Sequence, residues 1–272
     1  MNPLIMYIEN FIPKRERSYM VALADEYYER SRVTSEDNMS ATSDHRTSQS
    51  AFIYFDPVAN CIRKRAADFQ GGVPMDHMEE LQAVKYHVGK QFKNHYDWGP
   101  TDSNPRISTF FVYAACDQSM EESTNSTQGA NAQANRNLRL TTCEGGATNF
   151  PDYEVEIPTS WCDVVDCRDE DQLGGVSFRA IPGNAVFWSN VYPNGSYHMG
   201  TMHAGVPIKS GTKVGLNIWT RRNPFDAETD APWSKDQDAK LAKESEAEMP
   251  TDSEAASIQG SDREPTDESS NK

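Results

Sequence analysis

The sequence predicts a mainly β fold with α-helices: a sandwich or jelly roll that is buttressed by N-terminal helices. Two observations lead to this fold class. Apolar residues at helical spacing lie within the first 71 positions. After position 81, short runs of β-branched and aromatic residues alternate with turn residues at close intervals. Helical segments followed by many short strands are typical of a β core with helices packed against it.

The N-terminal part is predicted to contain one strand and two helices. The alternating apolar run Ile5–Ile8 indicates an opening strand. SYMVALADEYYER, residues 18–30, has the apolar spacing of a helix. PVANCIRKRAADFQG, residues 57–71, predicts a second, amphipathic helix. Gly71 and Gly72 close it, because glycine readily adopts the left-handed conformation that ends helices.

Strands are predicted from residue 81 onward. LQAVKYHVGKQFKNHYDW, residues 81–98, is strand-like and contains a glycine turn. RISTFFVYAAC, residues 106–116, has the β-branched and aromatic content of a strong strand. Residues 175–191 predict two strands around a Pro-Gly turn, and residues 203–222 predict two more around KSGTK.

The composition of this 272-residue chain changes near residue 226. Residues 1–225 are enough for one domain with a substantial core. Residues 226–272 are rich in Asp, Glu, Ser, Ala and Pro, so they predict an acidic, disordered tail. Within the first part, the polar stretch 117–137 predicts either a functional loop at a site entrance or a tolerated insertion. The polar segment 31–45 predicts a mobile flap.

The formal net charge of −15 indicates which partners the protein avoids. Nucleic acids and anionic membranes attract Lys and Arg, so an acidic chain is expected to bind neither. No apolar run approaches the roughly 18 residues of a membrane-spanning helix. The N-terminus lacks the basic region and apolar stretch of a signal peptide. We therefore expect a cytoplasmic protein.

The five cysteines do not form a CxxC pair. In a chain without a secretory signal, they are interpreted as reduced thiols. A bridge between Cys162 and Cys167, which are close in sequence, is the alternative.

The stretch NHYDW, residues 94–98, places two metal-ligand types one residue apart. On a strand, His95 and Asp97 would point to the same face. Two imidazoles and one carboxylate hold Fe(II) with three coordination positions open. A third ligand must then come from a distant strand. The candidates are His198 and His203, with His45, His77 and His87 less well placed.

His203 has the better surroundings of the two leading candidates. A small residue and a glycine follow it in HAGVPIKSGTK, and Lys213 lies ten positions later. The Lys213 ammonium is suited to the distal carboxylate of a dicarboxylate cosubstrate. Taken singly, His203 is explained as a core histidine and Lys213 as a solvated lysine in a hairpin. Together with His95 and Asp97 they predict a metal site.

At this point the sequence resembles a known family, the Fe(II)/2-oxoglutarate dioxygenases of the prolyl 4-hydroxylase catalytic-domain type. The resemblance spans roughly residues 5 to 222 and implies a double-stranded β-helix, also called a jelly-roll or cupin-like core. Its blocks are RTSQSAF (46–52), LQAVKYHVGKQFKNHYDW (81–98), RISTFFVY (106–113), EGGATNFP (144–151), WCDVVDC (161–167), IPGNAVFWSN (181–190) and HAGVPIKSGTKVGLNIW (203–219).

The resemblance also implies roles for particular residues. His95, Asp97 and His203 match the iron ligands. Lys213 matches the residue that pairs with the distal carboxylate of 2-oxoglutarate, and Tyr86 and Thr148 match residues that join this contact. Arg106 resembles an arginine that contacts the substrate.

The implied reaction is hydroxylation of an unactivated C–H bond, with Fe(II), 2-oxoglutarate and O2 as cofactor and cosubstrates. Succinate and CO2 are released, and ascorbate is the expected reductant. Peptidyl proline is the favoured substrate. The same chemistry on a small metabolite, including desaturation or rearrangement, is the alternative. A non-catalytic subunit that keeps only the fold is disfavoured, because the ligand set and Lys213 are intact.

Overall fold

The structure, a computed structural model, describes residues 3–31, 33–34, 40–41, 44–99, 102–117, 143–168 and 172–230. The chain divides into two units, Met1–Phe225 and Asp226–Lys272. In the second unit, a short helix, α3 (Ala227–Asp230), is described. Most of the predicted flap 31–45, the polar loop after residue 117 and the tail beyond residue 230 lie outside the described residues. The domain assignment and these three predictions therefore stay predictions.

The described part of the first unit is built on two sheets and two short ribbons. The strands are β1 (Ile5–Ile8), β2 (Glu29–Arg30), β3 (Val33–Thr34), β4 (Ser40–Ala41), β5 (Gln49–Ile53), β6 (Leu81–Tyr86), β7 (Phe92–His95), β8 (Arg106–Asp117), β9 (Glu144–Gly145), β10 (Thr148–Phe150), β11 (Val176–Phe178), β12 (Ala185–Ser189), β13 (His203–Gly205), β14 (Ile208–Ser210) and β15 (Thr212–Arg221). The larger sheet has the antiparallel strand order β1-β12-β8-β15-β6-β5-β2, the smaller has β11-β10-β13-β7, and the ribbons are β14-β9 and β3-β4.

The larger sheet separates two apolar cores, because successive side chains of a strand point to opposite faces. On β8, Phe110 and Val112 pack with the helices, whereas Phe111 and Tyr113 pack with the smaller sheet. The same alternation on β15 directs Leu216 toward the helices. Helices therefore cover one face of the larger sheet and the smaller sheet covers the other. This arrangement confirms the predicted fold class.

Two helices, α1 (Lys14–Asp25) and α2 (Pro57–Phe69), cover the outer face. Helix α2 agrees with the prediction for residues 57–71, and Gly71 and Gly72 follow it with positive φ. The prediction of a helix over 18–30 is wrong at both ends. The helix starts directly after Pro13, and residues 29–30 form β2 at the sheet edge instead. Backbone pairing with β5 overrides the helical spacing of these last residues.

Asp56 is expected to be the main stabilising residue at the N-terminus of α2. Its carboxylate accepts hydrogen bonds from the backbone N–H groups of Val58 and Ala59, both at 2.8 Å, and from the Tyr19 hydroxyl at 2.7 Å. Replacing Asp56 with alanine leaves these N–H groups without a partner. We expect Asp56→Ala to lower the free energy of unfolding by about 1–2 kcal/mol. Urea denaturation measures this, and Asp68→Ala, in the last turn of the helix, is the matched control.

The strands predicted at residues 175–191 form, but they do not pair with each other. β11 joins the smaller sheet and β12 joins the larger one, so the Pro-Gly turn crosses between the layers. Similarly, residues 203–222 form three strands instead of two, because β13 and β14 belong to different pairs. Strand content was readable from the sequence, whereas the partner of each strand was not.

The structure contains two disulfides, so the interpretation of all five cysteines as reduced thiols is wrong. Cys162 pairs with Cys167, the alternative considered above, and Cys116 pairs with Cys143. The second pair is 27 residues apart, yet its Cα atoms are 5.0 Å apart. Sequence spacing conceals this pair, because the chain leaves β8 after Cys116 and returns beside it at Cys143. Cys61 remains a free thiol.

Candidate metal centre

Three side chains, two from adjacent strands and one from the bend that follows β7, converge between the sheets. His203 on β13 lies opposite His95 on β7 in the antiparallel register. One ligand atom each from His95, Asp97 and His203 lies within 4.8 Å of the others. The Nε2 atoms of both histidines are 3.8 Å from carboxylate oxygens of Asp97. Two imidazoles and one carboxylate at this spacing form a donor set suited to a divalent metal with open coordination positions.

Backbone carbonyls fix the tautomer of both histidines. His95 Nδ1 lies 2.7 Å from the carbonyl oxygen of Lys93, and His203 Nδ1 lies 2.9 Å from that of Thr201. A carbonyl oxygen can only accept, so Nδ1 carries the proton in each ring. The lone pair of each Nε2 is therefore directed at the shared centre. This is how metal-binding histidines are oriented in general.

The protonation states also fit a metal centre. Burial and the neighbouring His203 lower the pKa of His95 well below its usual value, so the ring is neutral. Burial raises the pKa of Asp97, but its interactions with His203, His95 and the Arg106 guanidinium together outweigh it and hold this pKa below its usual value. The Thr109 hydroxyl, which donates to Asp97 Oδ2 at 2.7 Å, acts in the same direction.

The prediction that His95 and Asp97 lie on one face of the same strand is wrong. β7 ends at His95, and Asp97 lies in the bend that follows. The carboxylate reaches the centre through its bond to Thr109 on β8, a residue that the sequence argument did not single out. Asn190 donates to the same hydroxyl at 3.0 Å and fixes its orientation.

The other four histidines lie in different surroundings. His198 stacks on Tyr192, with ring centroids 4.0 Å apart, and its Nδ1 accepts from the Gly200 N–H. The remaining three contact neutral oxygens, namely those of Asn94 (His45), Arg221 (His77) and Gln49 (His87). The structure thus brings His203, and not His198, to the pair His95 and Asp97.

A cleft opens over the three donors. Aromatic rings surround the histidines, with Phe92 stacked on His95 at 3.5 Å and Trp188 at 4.6 Å from His203 between ring centroids. The cleft residues are Arg46, Tyr86, Phe92, His95, Asp97, Phe111, Thr148, Trp188, His203, Ala204, Gly205, Asn217 and Trp219.

Lys213 is a fully buried cation close to this cleft. Its side chain is 0% exposed, and Nζ donates to the carbonyl oxygen of Gly146 at 2.6 Å. Nζ also lies 4.7 Å from the centroid of the Tyr86 ring. No carboxylate contacts it among the residues that the structure describes. Burial lowers the pKa of Lys213 to about 7. A buried ammonium without a counter-charge is suited to an anionic ligand.

Tyr86 links the lysine to the metal-binding strands. Tyr86 and Lys213 are direct cross-strand partners. The Tyr86 hydroxyl lies next to Gly205, which is two residues after His203 on β13. Thr148 pairs with Gly205 across β10 and β13, and its hydroxyl accepts from Tyr113 at 2.8 Å. Of the three residues predicted for the cosubstrate, Tyr86 and Thr148 therefore line the cleft, and Lys213 lies against Tyr86.

Arg106 takes part in a buried ion network beside the cleft. Its Nε and Nη2 donate to Glu79 at 2.6 and 2.8 Å, and its guanidinium lies 3.6 Å from the centroid of Trp219. Arg221 donates to the same carboxylate at 2.6 Å. The predicted substrate contact of Arg106 stays a prediction. Glu79, which fixes Arg106 in place, was not identified from the sequence.

Glu79→Gln is expected to destabilise the fold. Burial raises the pKa of Glu79, but Arg106 and Arg221 outweigh it and hold this pKa below its usual value. The ionised carboxylate therefore stabilises the fold above the usual carboxyl pKa range, and this contribution is lost as pH falls through the lowered pKa. At neutral pH, Arg106 would lose its carboxylate partner and Arg221 would keep only that of Asp102, so the substitution should cost about 3 kcal/mol or more. Urea denaturation at neutral and acidic pH measures the difference, which should shrink in acid.

Arg46 is a further cleft residue to which the sequence argument gave no role. It belongs to the RTSQSAF block, is 8% exposed, and lies 4.9 Å from the centroid of Phe92. Its Nη2 donates to Gln82 at 3.1 Å. Only its burial in the cleft distinguishes Arg46 from the other arginines, because arginine is abundant on protein surfaces.

Comparisons with known proteins identify similar sequences and a similar fold. A scan against protein-family models gave no match. The chain is 26% identical over 231 residues to probable prolyl 4-hydroxylase 10 of Arabidopsis thaliana, covering 80% of this chain and 69% of the relative. It is 25% identical to prolyl 4-hydroxylase 2 of the same plant, covering 82% and 69%. The chain is similar in sequence to prolyl 4-hydroxylases.

A solved structure shows the same fold as this chain. It is a viral collagen prolyl hydroxylase from Paramecium bursaria Chlorella virus-1 in complex with 2OG. The TM-score is 0.52 at 19% identity, with 80% of this chain and 95% of the viral chain covered. The double-stranded β-helix implied by the sequence resemblance is thereby confirmed.

The described residues fit the metal and cosubstrate implied by the sequence resemblance. The two imidazoles and the ionised carboxylate suit Fe(II), and the buried lysine suits a dicarboxylate. Among the same residues, no helix has the length and apolar character needed to cross a membrane.

Proposed function

We propose that the protein is an Fe(II)- and 2-oxoglutarate-dependent dioxygenase that hydroxylates peptidyl proline. The observation that carries this proposal is the combination of the three metal donors with the buried Lys213, which lies against Tyr86, a residue of the same cleft. The donors alone would suit several divalent metals and reactions. The ammonium without a carboxylate partner selects a dicarboxylate cosubstrate. The similarity to prolyl 4-hydroxylases supports the choice of substrate.

In this proposal, His95, Asp97 and His203 hold the iron. Bound Fe(II), with 2-oxoglutarate and O2, supplies the oxidising chemistry that yields succinate, CO2 and a hydroxylated product. The hydrogen bonds of Lys93, Thr201 and Thr109 hold the three donors in place before the metal arrives. Preorganisation of this kind keeps ligand geometry close to that needed for turnover.

The other end of the cleft orients the cosubstrate. Lys213 pairs with its distal carboxylate, and the hydroxyls of Tyr86 and Thr148 are positioned to share this contact. Because Lys213 is fully buried, its ion pair is formed away from water and is correspondingly strong. Ascorbate is the expected reductant for iron that becomes oxidised in unproductive turnover.

The substrate is proposed to approach over the aromatic side of the cleft. Arg106 is held against Trp219 by Glu79, so its position depends on a rigid network. In this proposal, an extended peptide places a single proline in the cleft and keeps its remaining backbone at the mouth. Arg106 stays the proposed contact for that peptide.

Succinate formation tests the proposal. Purified protein is incubated with Fe(II), ascorbate and 2-oxoglutarate, with or without a short proline-rich peptide. We expect succinate to increase with the peptide, and the peptide to gain the mass of one oxygen. Succinate that ignores the peptide would direct the search to small molecules. Absence of succinate from iron-loaded protein would instead support a non-catalytic role.

The disulfides bear on the compartment. Protein disulfides persist in oxidising environments and are rare in the cytosol. Two of them in one domain therefore weigh against the expected cytoplasmic location, and we propose an oxidising compartment. Thiol labelling of the denatured protein before and after reduction tests this. Only Cys61 should react before reduction.

A further inference from the structure

The Cys116–Cys143 disulfide lies directly beside the buried lysine. Cys116 on β8 is the cross-strand partner of Lys213 on β15. Directly opposed residues of an antiparallel pair have side chains on the same face. Both cysteines and Tyr86 belong to the core between the two sheets, and the disulfide is buried, with Cys116 only 2% exposed.

The disulfide also anchors the segment that completes the cosubstrate end of the cleft. Cys143 begins residues 143–148, which contain both the Gly146 carbonyl that accepts from Lys213 and the predicted cosubstrate residue Thr148. The later end of this segment is fixed by the pairing of β10 with β11 and β13. Its earlier end is covalently joined to β8 through Cys116.

The segment leaves little room for a different path. Gly146 has φ +71°, and a Cβ built on it would lie 2.3 Å from Ile208 Cδ1 and 3.4 Å from Lys213 Cδ. Its N–H donates to the Pro207 carbonyl oxygen at 3.0 Å. The backbone therefore passes in direct contact with the lysine stem. A shift of the segment would change the position of the ammonium that it holds.

From these contacts we infer that the Cys116–Cys143 disulfide is a positioning element for the cosubstrate. It holds residues 143–148 against β15, so that Lys213 and Thr148 keep one geometry toward the distal carboxylate. The inference rests on the proposed function, because it concerns the cosubstrate of that reaction. The metal donors lie on β7, β13 and the bend after β7, and the disulfide does not join any of these. Its loss should therefore affect 2-oxoglutarate binding and spare metal binding.

The test compares two double variants that lack the Cys116–Cys143 disulfide with one control variant. Cys116→Ser/Cys143→Ser and Cys116→Ala/Cys143→Ala remove the disulfide, the second pair without burying new hydroxyls. Cys162→Ser/Cys167→Ser is the matched control, because it removes a disulfide that closes a short turn elsewhere. The affinity for 2-oxoglutarate is measured by calorimetry with Mn(II) in place of Fe(II), which needs no turnover. KM and kcat are measured separately by succinate release.

We expect both Cys116/Cys143 variants to bind 2-oxoglutarate at least about tenfold more weakly, with a matching rise in KM and kcat changed less than about twofold. Mn(II) affinity should be unchanged, and the control should match the wild type in every readout. Unchanged 2-oxoglutarate affinity in a folded variant would overturn the inference. Failure of both variants to fold would overturn it as well, because the disulfide would then be a general folding element.

The same measurements separate this inference from the proposed function. Wild-type protein that does not bind 2-oxoglutarate at all would contradict the proposed function. Wild-type protein that binds it, with equal binding by the Cys116/Cys143 variants, would contradict only the role of the disulfide.

Discussion

Asp97→Ala and His203→Ala are each expected to abolish 2-oxoglutarate turnover, by at least about three orders of magnitude, because the remaining two donors hold the metal too weakly. The fold should persist. Each substitution removes a buried polar group from a cluster that lies in a cleft, so the free energy of unfolding should change by no more than about 1–2 kcal/mol. Succinate release, Mn(II) affinity and urea denaturation measure the three quantities.

His198→Ala is the matched control for His203→Ala. It removes a second buried histidine five positions away, whose ring stacks on Tyr192 and does not face the metal donors. We expect it to lower stability while leaving Mn(II) affinity unchanged. Full turnover by Asp97→Ala or His203→Ala would remove the ligand assignment. Equal loss of metal by His198→Ala would show that the effect is structural.

Lys213→Met is expected to have opposite effects on binding and on stability. Methionine has a similar volume but cannot pair with a carboxylate, so the affinity for 2-oxoglutarate should fall by about 100-fold. Without ligand, the wild type buries an ammonium that has no carboxylate partner among the described residues. Its removal should raise the free energy of unfolding by about 2 kcal/mol near neutral pH. Calorimetry and urea denaturation of the same two proteins measure both effects.

The gain in stability should depend on pH with a defined sign. Burial lowers the pKa of Lys213 from its ordinary value of 10.5 to about 7. Between these two values the unfolded chain binds more protons, so wild-type stability rises with pH across that window. The advantage of Lys213→Met should therefore be largest below pH 7 and shrink toward pH 10. An advantage that is constant with pH would contradict this account of the buried lysine.

The affinity for 2-oxoglutarate should also depend on pH. Only the protonated lysine pairs with a carboxylate, and in the free protein this form is lost as pH rises through about 7. Binding at higher pH must therefore take up a proton, and the affinity should fall by up to about tenfold per pH unit. The affinity of the Lys213→Met variant should not depend on pH in this way. A wild-type affinity that stays constant with pH would contradict the role of the protonated lysine.

Much of the fold was predictable because local patterns determine local structure. The opening strand Ile5–Ile8, helix α2 with its closing glycines and the long strand β8 all form at or near their predicted positions. Helix α1 was misplaced, because pairing of residues 29–30 with β5 outweighs their helical spacing. Strand partners were not predictable, since pairing depends on chain segments that are far apart in sequence.

The candidate site shows the same division. Motif order was enough to propose His95, Asp97, His203 and Lys213, because ligand chemistry depends on residue type and spacing. Thr109, Glu79 and Arg46 were not identified from the sequence. A threonine, a glutamate and an arginine are common surface residues, and only burial beside the cleft distinguishes these three.

The sequence by itself therefore determined the fold class, the family resemblance and the candidate donor set with His203, because each depends on the chemical type of residues and on their order. Only the tertiary structure decided that Asp97 lies in a bend after β7 and is held by Thr109 on β8, since this contact joins strands that do not pair with each other. It likewise decided that Cys116 meets Cys143 beside Lys213. These contacts depend on the antiparallel register of β7, β8, β13 and β15, which residue types alone do not specify.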